Sequence, residues 1–336
     1  MIYNHCDVLL LAEAFYLYRK VILNSFNLDP SWFYGTPTLS FNIMLKYSKI
    51  KLDHLSDSNI NNFFRSSIRG GVCFIKKRYE KGDSLFTNQG RQKFIKYLDA
   101  TNLYGSMMLN KMPYKNFRML NSEELSDLEK KLMNNEYINI HGRVSYFLEV
   151  DLEYPAHLHK THEQWPLAPD TYEVTYNDLS FFSRIQLSCS NPRKYKTKNF
   201  SETKLMPHFH GRKNYVLHIR NLIYYLRKGL VLQKIHAGVS FYQKAWLKKY
   251  ITHVANLRRE AKENNQDFFV LIMKLIANQT FGKFAQNPEK YTRIEIARTP
   301  DQLRKFTSSP NYLRQIVLSE NLVLVEITHE KLEYKL

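Results

Sequence analysis

The chain has 336 residues, 44% of them hydrophobic, with 23 Tyr and 21 Phe, enough for two or three cores and too apolar to be disordered throughout. Lys and Arg outnumber Asp and Glu by 49 to 31, a formal charge of +18, which points to a polyanionic partner: nucleic acid ahead of an anionic membrane surface. No apolar run approaches the ~18 residues of a spanning helix, which argues against an integral membrane protein. Cys6, Cys73 and Cys189 have neither an even count nor a CxxC spacing, and the start MIYNHCD carries no secretory signal, so an intracellular protein with reduced thiols is expected.

Residues 3–24 (YNHCDVLLLAEAFYLYRKVILN) are apolar throughout at helical spacing, with no Gly or Pro, and are expected to form a buried helix. Tyr3 and Asp7 stand four apart on one face of it; an acid in a first turn beside a tyrosine is the plain explanation. Asp29-Pro30 and Gly35-Thr36-Pro37 break the chain, and 39–52 reads as a second helix. Arg69-Gly70-Gly71 offers unhindered backbone N–H groups beside a cation, suited to a phosphate, or a simple turn. Residues 72–75 read as a strand, Lys76-Lys77-Arg78 add charge, and 82–91 read as a surface loop.

The most informative stretch is 94–112, FIKYLDATNLYGSMMLNKM, followed by Pro113. Phe94-Ile95 and Tyr97-Leu98 read as a short buried strand with Asp99 at its end. Thr101-Asn102 can turn or cap, and a helix is expected from Leu103. A carboxylate ending a buried strand is costly unless a cation meets it, and a divalent metal suits hard oxygen ligands. An Asp that caps the helix is the alternative.

Beyond Pro113, 121–135 is a charged amphipathic helix and 146–154 an alternating strand with Leu148, Val150, Leu152 and Tyr154 on one face. Glu149, Asp151 and Glu153 lie on the other; with His157, His159 and His162 they resemble a metal set, but a solvated strand face accounts for them. Residues 189–204 read as a basic exposed loop, 216–230 as strand or helix stopped by Gly229, and 231–241 as a strand. A basic helix is expected at 246–264, with Arg258 and Lys262 four apart. Asn265 and Asp267 are candidate caps for the next helix, 268–284, on which Lys274, Asn278 and Phe281 share a face. Phe269, Ile272, Leu275 and Ile276 are expected on its packed side, and Gly282 at its end. After Asn287-Pro288, strands at 291–296 and within 315–328 flank a short helix at 300–306.

In this order the pieces resemble the protein-primed branch of family B DNA polymerases, most of all those of Polinton or Maverick transposons and more loosely those of linear plasmids and viruses. YLDATNLY at 97–104, with Gly105 and later Met112-Pro113, resembles the first polymerase motif, and KLIANQTFG at 274–282 the second. YNHCDVLLL at 3–11 is similar to the last motif of the 3′–5′ exonuclease, and IRGG at 68–71 to the exonuclease–polymerase linker. Softer likenesses are LEVDLEYP at 148–155, PLAP at 166–169, YVLHIRNL at 215–222 and WLKKYI at 246–251.

The resemblance implies a mixed α/β fold, a family B palm and fingers with the end of an exonuclease domain. It divides the chain into 1–25 (exonuclease end), 26–90 (linker), 91–113 (palm), 114–236 (an insertion facing a terminal protein), 237–287 (fingers) and 288–336 (return to the palm). It implies that Asp99 and the carbonyl of Ala100 hold two Mg2+ ions. Leu103 and Tyr104 would lie at the incoming dNTP, with Tyr104 excluding ribose; Lys274 and Arg258 would hold the triphosphate, and Asn278 and Phe281 would shape the pocket. Arg69, Gly70 and Gly71 would meet the DNA primer-template, while Tyr3 and Asp7 would serve the exonuclease. A terminal priming protein is the further partner implied, with no membrane, and the nucleus is the expected compartment ahead of the mitochondrion. No Asp-x-Asp follows Gly282, and no Asp-x-Glu precedes Tyr3. The expectation is therefore a polymerase fragment or, alternatively, a non-catalytic DNA-binding remnant.

Overall fold

The computed structural model describes residues 2–53, 55, 57–77, 79–82, 94–136, 138–190, 200–286 and 292–328. In chain order come helices α1 (Ile2–Phe26), α2 (Thr36–Ser48), α3 (Ser58–Ser67) and α4 (Leu103–Met108), strand β1 (Met112–Met119), helix α5 (Ser122–Met133), and strands β2 (Val144–Glu153) and β3 (Asp170–Thr175). Helix α6 (Phe181–Ser190), strands β4 (Ser201–Met206) and β5 (Arg212–His218), helix α7 (Ile219–Arg227) and strand β6 (Val231–Lys244) follow. Helices α8 (Lys248–Glu263) and α9 (Asp267–Phe284), strand β7 (Thr292–Ala297), helix α10 (Pro300–Thr307) and strands β8 (Tyr312–Ser319) and β9 (Leu322–Thr328) complete it. The fold is mixed α/β, in two compact units: Met1–Tyr47 with Tyr250–Leu336, and Ser48–Lys249.

The second unit is built on an antiparallel sheet of order β1-β6-β2-β5. Strand β6 pairs with both β1 and β2, from Val231 opposite Glu153 to Lys244 opposite Met112, so it carries the sheet. Alternation gives each face its own core. Leu148, Val150 and Leu152 pack with Leu128 and Leu132 of α5 and with Ile219 and Leu222 of α7. On the other face Phe147 meets Phe64 of α3 at 5.0 Å between ring centroids and Phe241 at 5.6 Å, with Phe117 beside them. Helix α5 starts where a local signal sets it. Asn121 accepts from the Glu124 N–H, and the Glu124 carboxylate accepts from the Asn121 N–H, a reciprocal capping box. Among the described residues strands β3 and β4 pair only with each other, in a ribbon.

In the first unit, the C-terminal part of α1 (Ile22, Phe26), α2 (Leu39, Ile43, Met44), α8 (Tyr250, Ile251, Val254) and α9 (Ile272, Met273, Ile276) supply buried apolar residues. His253 lies between Tyr47, stacked at 4.7 Å, and Phe26, edge-on at 6.1 Å. A three-stranded sheet of order β7-β9-β8 with α10 against it has a small core of Ala297, Val323, Val325, Leu303 and Phe306.

Several expectations fail, each for a physical reason. Residues 94–98 are not a buried strand: they have no regular structure, and Phe94 and Tyr97 are 66% and 94% exposed. An apolar run becomes a strand only when an edge pairs with it, and no described strand does. Residues 72–75 are likewise irregular; Phe74 packs on Trp165 at 5.5 Å instead of joining a sheet. The helix expected at 3–24 forms, yet its first half leaves Val8, Leu9, Leu10 and Leu11 exposed. The helix expected at 39–52 starts earlier, at Thr36, and stops at Ser48, where Lys49 takes φ +48. Helix α9 runs through Gly282 to Phe284, and Leu275 is 41% exposed. Its N-cap is Gln266, not Asn265 or Asp267. Of 189–204, Cys189 and Ser190 end α6 and β4 begins at Ser201, while 191–199 lie outside the described residues. Of the loop expected at 82–91, only Gly82 is described.

Gly238, in the middle of β6, faces the α5 side, where an added Cβ would sit 2.7 Å from Leu148 Cδ2 and 2.8 Å from Leu120 Cδ1. Leu148 is fully buried and has nowhere to go. Gly238→Val is expected to destabilise this unit by about 1–3 kcal/mol, read as a lower urea midpoint at unchanged slope. An unchanged midpoint would contradict the packing described.

Candidate functional site

The residues singled out from the sequence fall in both units. In the second, Asp99 and Ala100 sit in the irregular, solvent-exposed run 94–100 that leads into α4. Asn102 makes the turn. It adopts φ +53, a left-handed conformation that asparagine tolerates better than most residues, and its carbonyl accepts the first helical bond, from Ser106 N. Its side chain makes no capping bond. It lies over Gly105 instead, where a Cβ would come within 2.3 Å of Nδ2, so a larger residue there would push the Asn102 side chain aside. The short helix that follows leaves Leu103 and Tyr104 about half exposed.

Arg69 is drawn inward. Its guanidinium lies 3.7 Å over the Tyr215 ring, donates to the Val216 carbonyl at 2.7 Å and stands 3.7 Å from Asp170. These contacts fasten the segment after α3 to β5 and β3, and they compete with the phosphate contact expected from sequence. Gly70 and Gly71 keep open space where a side chain would be.

In the first unit, α9 buries Ile272, Met273, Ile276 and Thr280. At about 100° per residue that stripe is opposite Lys274, Asn278 and Phe281, which are all exposed. A hydroxyl pair fixes the rotation of the helix. Thr280 Oγ1 donates to the Ile276 carbonyl at 2.9 Å, so the buried Tyr250 of α8 donates to Thr280 at 2.7 Å. Burial raises the Tyr250 phenol above its ordinary value and keeps it a donor. Arg258 is half-buried on α8. Tyr3 and Asp7 both lie on the exposed half of α1.

No group of three His, Cys, Asp or Glu that could hold a metal occurs among the described residues. The acids of β2 have other partners: Asp151 accepts from Asn214 N and pairs with His236 at 3.0 Å, and Glu153 accepts from Gln233. His162 Nδ1 meets the Tyr154 hydroxyl at 2.8 Å, which itself accepts from Leu167 N, and His159 stacks on Phe209.

Two arginines escaped the sequence reading. Arg212 is 2% exposed, and its guanidinium donates to the carbonyls of Ala168, Leu167, His208 and His210. Arg220, in α7, donates to Asn110 Oδ1 at 3.2 Å. Arg220 lies in 215–222 and Arg212 reaches the carbonyls of 166–169, stretches visible only as soft likenesses. Ala168 and Leu167, which Arg212 reaches, and Asn110, which Arg220 reaches, are distant in sequence, so no spacing announces these contacts.

The family model for DNA polymerase type B, organellar and viral, matches residues 1–334, and the chain belongs to that family. Among solved structures, a phi29 DNA polymerase in an orthorhombic crystal form is similar over 79% of this chain and 38% of its own, at 13% identity and a TM-score of 0.42. A phi29 DNA polymerase complexed with primer-template DNA is similar over 86% and 40%, at 13% identity and a TM-score of 0.41. The chain thus spans about two fifths of the length of the structures it matches. No curated protein sequence matches it.

The histidine at the head of α7 sets a pH dependence. His218 accepts from Arg220 N and meets Ser145 Oγ at 3.2 Å. Burial, helped by the Arg220 charge, lowers it from 6.5 to about 4. The unfolded chain therefore binds a proton between pH 6.5 and 4 that the folded chain refuses, and stability falls as pH drops through that window. The expected loss is up to about 3 kcal/mol by pH 4, and His218→Gln should flatten the fall in urea melts taken at successive pH values. The same slope in the variant would contradict the assignment.

Proposed function

We propose that this chain supplies nucleotide- and DNA-binding surface to a DNA-directed DNA polymerase, the class that adds dNTPs to a primer along a template, of the protein-primed Polinton or Maverick type. The observation that carries the reading is the outward row Lys274, Asn278 and Phe281 on α9, in a chain that belongs to the type B family from end to end. In this reading Lys274 meets the triphosphate as a point charge and Arg258 as a fork, while Asn278 and Phe281 shape the pocket. Tyr104, with Leu103 beside it, bears on the sugar, where the 2′-OH distinguishes a ribonucleotide. The net charge of +18 follows DNA phosphates, Gly70 and Gly71 let a strand approach, and residues 114–236 face a terminal protein.

Nucleotidyl transfer in such enzymes uses two metal ions. Asp99 and the Ala100 carbonyl are hard oxygen donors of the kind Mg2+ takes. They belong to no three-ligand group among the described residues, so this donor set does not fit two ions. The reading for the 336-residue chain is therefore binding without turnover. The exposed, irregular run that holds Asp99, outside any three-ligand group among the described residues, favours a second reading, a DNA-binding remnant that takes no nucleotide.

Fluorescence anisotropy on a primer-template separates the two. The expected result is DNA affinity that falls steeply and log-linearly with salt, strengthened by the complementary dNTP. Lys274→Ala should abolish the dNTP effect, weakening nucleotide binding by about tenfold, and leave the salt slope nearly unchanged. DNA binding indifferent to dNTP in the wild type favours the remnant. Primer extension above an Asp99→Ala control would sink the claim of binding without turnover.

A further inference from the structure

Helix α4 carries Leu103 and Tyr104, yet its six residues are far below the ~12–15 at which an isolated helix becomes even marginal. Something outside it must hold it. At its N-terminal end Asn102 makes no side-chain cap. At its C-terminal end the Asn110 side-chain amide donates to the carbonyl of Ser106, at 3.3 Å, and to that of Met107, at 3.1 Å, which also accepts from the Asn110 backbone N–H, in the last turn where a helix runs out of its own donors. The remaining side-chain atom of Asn110, Oδ1, accepts from Arg220 Nη1 at 3.2 Å.

Arg220 is itself anchored. It lies in the first turn of α7; its backbone N–H donates to His218 Nδ1 at 3.0 Å, and His218 Nε2 meets the buried Ser145 of β2 at 3.2 Å. A relay of polar contacts thus runs from the central sheet through His218, Arg220 and Asn110 to the last carbonyls of α4. Among the described residues Arg220 Nε is buried without a hydrogen-bond partner, so the arginine gives up hydration to reach this position. A cation at that end also suits the helix dipole, whose negative pole is there. Neither residue is adjacent in sequence to the other, and α7 is otherwise an amphipathic helix that Ile219 and Leu222 would hold by themselves.

We propose that Arg220 is a positioning residue that acts through Asn110 to fix α4, and with it the tyrosine that bears on the sugar of the incoming nucleotide. The last clause rests on the nucleotide reading above; the mechanical tie does not. Two readouts on the full chain keep them apart. Hydrogen exchange in Arg220→Ala and in Asn110→Ser should run about tenfold faster at the amides of Ser106 to Asn110, with β2 and β6 unchanged, and Arg220→Lys should restore part of the protection. Affinities for dATP and for ATP give the second: the wild type should prefer dATP, and both variants should lower that preference by about fivefold or more. Asn110→Ser serves if Arg220→Ala does not fold, because it removes the relay and leaves α7 intact. Unchanged exchange in α4 overturns the tie. Faster exchange with an unchanged dATP to ATP ratio overturns its role in sugar selection. No nucleotide binding by the wild type overturns the nucleotide reading and, with it, that role, while exchange still decides the tie.

Discussion

The hydroxyl pair between Tyr250 and Thr280 is the constraint on which the proposed nucleotide surface depends. A helix as apolar as α9 could pack on more than one side. Thr280 and Tyr250 are both buried, and each needs the other or a carbonyl to satisfy it. Once that pair is made, the rotation of α9 is settled: Ile272, Met273 and Ile276 face inward, and Lys274, Asn278 and Phe281 face out. The lysine and asparagine on this apolar helix are thereby accounted for without burying a charge.

The second unit solves a different problem. Its central strand β6 spans the sheet, and two cores, one aliphatic and one aromatic, grip it from either side. Around this rigid platform the chain hangs segments that could not hold themselves: the six residues of α4, the β3–β4 ribbon, and the stretch after α3. Each is fastened by an arginine or asparagine reaching across long sequence distance: Arg220 to Asn110, Arg212 to the carbonyls near Ala168, Arg69 to Tyr215 and Val216. A planar fork with five donors suits this work, since one side chain can satisfy several carbonyls at once.

That division also explains how much was legible in the sequence. Helix α5 could be read because its cap, Asn121 with Glu124, is local; β2 and β6 could be read because alternation is local; and α9 because its period is local. The run 94–98 misled because strand formation depends on a partner, which periodicity cannot show. Its apolar residues look the same whether or not an edge awaits them. The arginine ties were invisible for the same reason, as their partners lie 44 to 147 residues away. The chemistry of the motif residues was legible as types, Asp99, Tyr104, Lys274 and Asn278, but nothing in the spacing revealed what holds them.

The account turns on the outer face of α9, and photo-crosslinking with an azido-dATP tests it most directly. The full chain would be irradiated with the probe, digested and mapped by mass spectrometry, with unlabelled dATP as competitor. The account predicts competable labelling on the peptide that contains Lys274, Asn278 and Phe281, lost in Lys274→Ala. Competable labelling confined to other segments, or none above a denatured control, would contradict it.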